Sequence, residues 1–244
     1  MSDETRIYST SDGAVVLKGR AKNEIIKLLM KGDKTFSELQ EGTGKAKSTL
    51  SVHLSDLKGL GVVKEHTDPE DHRKKIFSLR SRLVGSSDTP SDEQYRMILE
   101  NLGSARGDKY LFLKNLFHLI RHGLYSMGLD LHPALKDMGR DAGRVLAGHF
   151  TSDDLDGLLG EVSQFWKENG LGDVSVLDHE TIQVRECFDC GGMPNTGQSL
   201  CSLDEGILEG VIEARLGVEM RVVENECSGT GSDRCTFVIK EIEK

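Results

Sequence analysis

Glycine spacing near the front of the chain constrains its fold more than any other feature. Gly32, Gly42, Gly44, Gly59 and Gly61 cut residues 19–61 into three apolar-periodic segments. Each is too short to hold as a helix without tertiary packing, so the three must bury their apolar faces against one another. The first, residues 19–30, gathers Ile25, Ile26, Leu28 and Leu29. Thr35 and Glu38 form a capping box that opens the second, which carries Phe36 and Leu39. The third, residues 45–58, repeats Ala46, Leu50, Leu54 and Leu57 at three- and four-residue spacing. Residues 62–66 and 75–79 then read as two strands around a polar loop containing Pro69.

Three short helices followed by a hairpin is the plan of a winged helix-turn-helix, here over residues 14–83. In that plan the third helix turns one face to the core and the other to duplex DNA. The apolar stripe leaves Lys45, Lys47, Ser48, Thr49, Ser51 and His53 on the other side or in the leading turn. These are mostly cations and small hydroxyls, able to contact phosphates and approach base edges. Arg73, Lys74 and Lys75 in the wing loop suit backbone or minor-groove contact. The net charge of -9 is compatible with this because it is unevenly spread. Residues 1–85 carry 16 Lys/Arg against 12 Asp/Glu, a balance of +4, and residues 86–244 carry 15 against 28, a balance of -13. Only the front of the chain can approach a phosphate backbone. The segment TFSELQEGTGKAKSTLSVHLSDLKGLGVV resembles the helix-turn-helix of ArsR-like winged-helix regulators, over about residues 18–80. Leu54, Leu57 and Leu60 stand where that family packs its third helix and enters the wing. The resemblance implies double-stranded DNA as partner. A single small reading helix covers few base pairs, so a homodimer on an inverted repeat is expected. The competing reading is a winged helix used for protein contacts, its cations only a solvated face.

Residues 84–92, VGSSDTPSD, are small and polar and read as a linker. Beyond them, residues 93–244 begin with helical patterns at 95–102, 110–127, 131–150 and 155–166. After Gly172 the period shortens. Residues 174–177, 182–185, 218–223 and 236–239 alternate like strands, and residues 202–216 form a helix with Ser202 and Glu205 as its capping box. Helices followed by strands give an α+β class for this second domain. The polar, acidic start and the absence of a long apolar run predict a cytoplasmic protein.

All five cysteines lie between Cys187 and Cys235. Without an export signal, metal ligation or a reactive thiol is favoured over a disulfide scaffold. Two-residue alternation puts Glu224 on the face of Met220 and Val222, and a carboxylate facing inward must be paired or bound to metal. Cys235 shares its face with Phe237 and Ile239. Cys201 sits just before a helix start, where free N–H groups favour a thiolate. Cys201, Glu224, Cys227 and Cys235 are a fitting tetrahedral zinc shell. From the pattern alone, buried inert cysteines with a salt-bridged Glu224 are an equal alternative. His118 and His122, one turn apart on an apolar helix, read as packing or rim residues, and His149 and Trp166 as core or pocket residues.

The segments EGVIEARLG and VVENECSGTGSDRCTFVI resemble the 4-vinyl reductase domain, over about residues 107–239. In aromatic-sensing regulators with that domain three cysteines and a glutamate hold a structural zinc, which implies the same Cys201, Glu224, Cys227 and Cys235 here. A pocket tyrosine of the phenol sensors falls on Val222, which argues against an aromatic effector. Cys187 and Cys190 form a C-F-D-C pair outside that shell, and Gly191 and Gly192 would leave it mobile. A winged helix joined to a cysteine-rich 4-vinyl reductase domain resembles a methanogen-specific, and so archaeal, family of redox-responsive regulators. That implies Cys187, Cys190 and Cys201 as redox thiols and a repressor as the function. The alternative is a small-molecule-responsive regulator whose zinc is purely structural. An enzyme is not expected, since the chain has no nucleotide fingerprint, zinc-protease helix motif or nucleophile–base–acid set.

Overall fold

The computed structural model describes residues 5–242. They divide into two compact units, one ending at Ser87 and one starting at Asp88.

The first unit follows the expected order. Helices α1 (Arg20–Leu29), α2 (Phe36–Thr43) and α3 (Lys47–Gly59) precede strands β4 (Val63–Thr67) and β5 (Lys75–Leu79). A two-residue strand, β3 (Lys34–Thr35), completes the wing sheet in the order β3-β5-β4. The capping box forms: the Glu38 N–H donates to the Thr35 hydroxyl at 3.3 Å, and the Thr35 N–H donates to the Glu38 carboxylate at 2.7 Å. Gly44 ends α2 with φ 63°, a left-handed turn that glycine takes without steric cost. Ile25, Leu39, Leu50, Leu57 and Phe77 meet in one core.

The boundaries 14–83 and 84–92 need correction. A hairpin of β1 (Arg6–Thr10) and β2 (Gly13–Leu17) opens the unit, and β6 (Arg82–Ser87) pairs antiparallel with β1. Tyr8 is wholly buried in the core, so the unit begins well before residue 14. Residues 84–87 are strand, not linker, because their backbone groups are taken up by β1. The Asp12-Gly13 step between two apolar alternations was the available signal.

The second unit opens with α4 (Asp92–Ser104), α5 (Lys109–Ser126), the short strand β7 (Leu129–Asp130), α6 (His132–Leu146) and α7 (Leu155–Glu168). Strands β8 (Asp173–Asp178) and β9 (Thr181–Arg185), helix α8 (Ser202–Leu216), and strands β10 (Met220–Glu226) and β11 (Cys235–Glu241) follow. The four-stranded sheet runs β10-β11-β9-β8, every pair antiparallel. Its inner face meets α7 and α8 through Val162, Trp166, Leu208, Ile212, Val222 and Phe237. The whole chain is α+β, as the patterning implies.

Helices α6 and α8 approach unusually closely. A Cβ at Gly139 would lie 2.3 Å from the Leu203 carbonyl oxygen, and one at Gly206 would lie 2.0 Å from that of Lys136. Gly143 and Gly210 are as tight, at 2.2 Å from Ile207 and Arg140 carbonyls. Charges then line the groove: Lys136 reaches Glu205 and Glu209, Arg140 reaches Glu209, and Arg144 reaches Glu213, all within 3 Å. This is where the expected Ser202–Glu205 capping box fails. Cys201, not Ser202, is the N-cap, and it makes no side-chain cap. Glu205 instead accepts from Lys136 and from the Glu224 N–H at 2.7 Å.

Candidate functional site

Four elements of the second unit bring their sulfur and carboxylate groups to one buried point. Cys235 opens β11 and faces inward with Phe237 and Ile239. Glu224 lies on the inner face of β10 beside Val222, and Cys227 follows where that strand ends. Cys201 caps α8, and Cys190 comes from the turn after β9. One ligand atom from each of Cys190, Cys201, Glu224, Cys227 and Cys235 lies within 4.8 Å of the others. All five residues are buried.

The shell drawn from sequence therefore assembles with one addition. Cys190, expected outside it, has its Sγ 3.1 Å from that of Cys235. Spacing along the chain could not reveal this, because the approach depends on the turn that follows β9. Nor is the Cys187–Cys190 segment loose. Both cysteines are buried, and the Gly191 N–H donates to the Cys187 carbonyl at 2.8 Å. A Cβ on Gly191 would lie 2.4 Å from that carbonyl oxygen, so this glycine serves a tight turn. Helix α5 clamps the segment. Lys114 donates to the Cys187 carbonyl at 3.3 Å, His118 meets the Phe188 carbonyl at 2.9 Å, and His122 meets the Asp189 carbonyl at 3.2 Å. A carbonyl only accepts, so each imidazole carries its proton on Nε2. Burial lowers both histidines below their ordinary range, which keeps them neutral. They are structural donors, as their helix position implied. Arg121 ion-pairs with Asp189 and donates to the Leu200 carbonyl at 2.5 Å.

The electrostatics of the cluster call for a cation. Hydrogen bonds from Cys190, Cys201 and Cys235 depress Cys227 far below the ordinary thiol range, helped by the Leu200 N–H at 3.3 Å. Cys190 is pushed up by its hydrogen bond with Cys187, and Cys201 by burial. Burial, then the Cys227 thiolate, raises Glu224 to about 8. Its Oε2 accepts from the Cys201 N–H at 3.1 Å, while its Oε1 is buried without a hydrogen-bond partner. A buried, orphaned carboxylate oxygen beside a thiolate is costly unless something positive sits between them. A soft divalent cation satisfies both, so the residues fit a zinc-type ion.

Cys187 lies on the far side of Cys201, with their sulfurs 3.8 Å apart and Asp204 3.9 Å from Cys187. His149 is exposed and packs on Phe165, and Trp166 is core. The space beside Trp166, Ile182 and Phe237 measures only ≈10 Å³.

In the first unit, Lys47, Ser48, Thr49 and Ser51 are exposed on α3, opposite Leu50, Leu54 and Leu57. Lys45 precedes the helix and is tied to Glu24 at 2.9 Å. His53 is half-buried. Arg73 and Lys74 stand on the wing beside Asp71, and Lys75 pairs with Glu65 at 2.5 Å. Part of the expected cationic face is thus engaged within the unit.

Residues 20–65 match the model of the bacterial regulatory protein arsR family, and residues 181–241 match that of the 4-vinyl reductase domain. This chain joins an ArsR-type helix-turn-helix to a 4-vinyl reductase domain. That is the architecture of a DNA-binding transcription regulator with a sensory domain. Uncharacterized proteins of Methanocaldococcus jannaschii are similar. One is 28% identical over 134 residues, 53% of this chain and 76% of its own length. A second is 32% identical over 85 residues, 34% of this chain and 53% of its own. Among solved structures, a vinyl-4-reductase family protein of M. jannaschii is 16% identical, with a TM-score of 0.38, covering 61% of this chain and 92% of its own. The phenol-responsive sensory domain of the transcription activator PoxR, with phenol, is 15% identical, with a TM-score of 0.39, covering 80% and 90%. No described helix is long and apolar enough to cross a membrane.

Proposed function

We propose that this protein is a redox-responsive transcriptional repressor that binds promoter DNA as a homodimer and holds a zinc ion in its 4-vinyl reductase unit. One observation carries the reading: a chain with an ArsR-type helix-turn-helix also places five buried donors within 4.8 Å of one another. Lys47, Ser48, Thr49 and Ser51 of α3 meet bases and phosphates, with His53 at the rim of that face. Arg73, Lys74 and Lys75 follow the backbone from the wing, and Lys45 adds to the leading turn once Glu24 releases it.

Cys201, Glu224, Cys227 and Cys235 are the assigned zinc ligands. When bound, the ion neutralises the thiolates and cross-links α8, β10 and β11. Cys187, Cys190 and Cys201 are the assigned redox thiols. Each of the two unassigned thiols touches a ligand: Cys187 touches Cys201, and Cys190 touches Cys235. Oxidation of either pair forms one S–S bond and releases two protons and two electrons. A peroxide takes these up and leaves as water and an alcohol or a second water; a small disulfide leaves as two thiols. Either disulfide withdraws a sulfur from the ligand set, so oxidation and metal loss become one event. A small-molecule effector is less favoured, since the ≈10 Å³ beside Trp166 holds about one water molecule.

The test combines three measurements on the same reduced and oxidised samples: metal content, thiols counted in denaturant, and affinity for promoter DNA. Reduced protein should show five thiols, about one zinc per chain and salt-dependent DNA binding. Oxidised protein should show about three thiols, no zinc and DNA affinity at least about tenfold weaker. Equal DNA affinity in both states refutes the redox switch. No duplex binding at low salt, reduced and metal-loaded, refutes the regulator.

A further inference from the structure

Helix α5 is amphipathic the wrong way round. Asn115, His118, Arg121 and His122 point into the unit, where Arg121 and the two histidines hold the cysteine segment. The opposite side carries Leu113, Leu116, Phe117, Ile120, Leu124 and Met127, without a charge among them. Surface helices ordinarily show the reverse, and a helix apolar on its outer side is normally covered. Here that side is open: Leu113 is 61% exposed, Ile120 62% and Met127 58%.

We propose that the outward face of α5 is the seam at which a second copy of this chain packs. This rests on the homodimer reading above and says where the two copies meet. Three observations select that occupant. Residues 113, 117, 120, 124 and 127 recur at alternating spacings of four and three, the seam of a helix that packs on a like helix. The area is also adequate. With side-chain areas on the order of 150–200 Å², the exposed fractions of Phe112, Leu113, Ile120, Leu124 and Met127 leave roughly 500 Å² of apolar surface. A standard interface takes about 800 Å² per partner, of which about 450–520 Å² is apolar. Finally, residues 86–244 carry a balance of -13, so two copies repel wherever their charged surfaces meet. The charge-free strip is where they can approach.

The placement gives α5 two tasks. Its inner side grips the carbonyls of Phe188, Asp189 and Leu200, next to Cys187, Cys190 and Cys201 in the chain. Its outer side touches the partner. A rearrangement of the sulfur segment therefore reaches the seam through a single helix.

Sedimentation velocity on the full, reduced, zinc-loaded chain tests this. The variants are Ile120→Glu, the double variant Leu113→Glu/Ile120→Glu, and the control Val145→Glu, whose side chain is 79% exposed on α6. Wild type and control should be dimers at micromolar concentration. Ile120→Glu should raise the dimer Kd at least about 100-fold, with zinc content and far-UV circular dichroism unchanged. A monomeric wild type, its strip covered by its own first unit or by nothing, overturns the proposal. So does a double variant that keeps the wild-type Kd. If oxidation leaves DNA affinity unchanged while the variants still dissociate, the redox reading falls and the seam stands. If wild type responds to oxidant but the double variant remains dimeric, the seam falls and the redox reading stands.

Discussion

Replacing Gly206 with alanine sets two principles against each other, and the sign of the outcome decides between them. In the middle of α8, glycine to alanine should stabilise the helix by about 1 kcal/mol, because alanine loses less backbone freedom on folding. The packing argues the opposite. The new Cβ would sit 2.0 Å from the Lys136 carbonyl oxygen, 2.9 Å from its carbon and 3.0 Å from the Arg140 nitrogen. All three are backbone atoms and cannot rotate away. Ordinary contact requires about 3.4 Å or more, so α6 and α8 must separate by over about 1 Å along much of their contact. Overpacking of this kind costs about 1–3 kcal/mol, or more where backbone must move. The ion pairs of Lys136 with Glu205 and Glu209 stretch at the same time. We expect a net loss of about 1–3 kcal/mol, seen as a lower urea midpoint with an unchanged slope. Zinc should also dissociate more readily, because Cys201 caps α8 and Glu205 holds the Glu224 backbone. A neutral or stabilised Gly206→Ala variant would show that the two helices do not pack backbone to backbone.

Three further outcomes follow from other parts of the molecule. Arg121→Met removes the partner of buried Asp189 and should cost about 3–5 kcal/mol in urea unfolding. Glu161 accepts from the Thr151 hydroxyl and N–H, which hold its carboxyl down to about 2. Its folded value lies below its unfolded one, so its contribution is present above the ordinary carboxylate range and fades as pH falls toward 2. Glu161→Gln should therefore be less stable than wild type at pH 7, with the difference closing by about pH 2 in thermal melts. Lys47→Ala should weaken binding to all duplexes alike and reduce the salt slope by about one ion, measured by fluorescence anisotropy across salt concentrations.

Legibility in the sequence tracked how local each interaction is. Helices α1 to α3 and the wing announce themselves because capping boxes, glycine stops and three-to-four spacing act within a dozen residues. The same holds for Glu224, whose burial follows from alternation with Met220 and Val222 along one strand. The first hairpin was harder to see, because β1 is completed only by β6, some seventy residues later. The Ser202 capping box misled for the same reason: Lys136 and the Glu224 N–H, both distant in sequence, compete for Glu205 and win. Cys190 joins the sulfur cluster only through the turn that α5 pins, and no spacing rule encodes that. Glycines spaced four apart at 139 and 143, and again at 206 and 210, did mark a close helix pair. They read as a pair only once the two helices are known to be neighbours.

Every sulfur in this protein's cysteines is shut away from solvent. An alkylating reagent can reach one only after the protein opens locally, so labelling speed will be set by how often that happens rather than by thiol chemistry. Alkylation kinetics on intact protein then become a clock for the breathing of the turn beneath α5. Sulfurs that are labelled together would mark the residues that open as one unit.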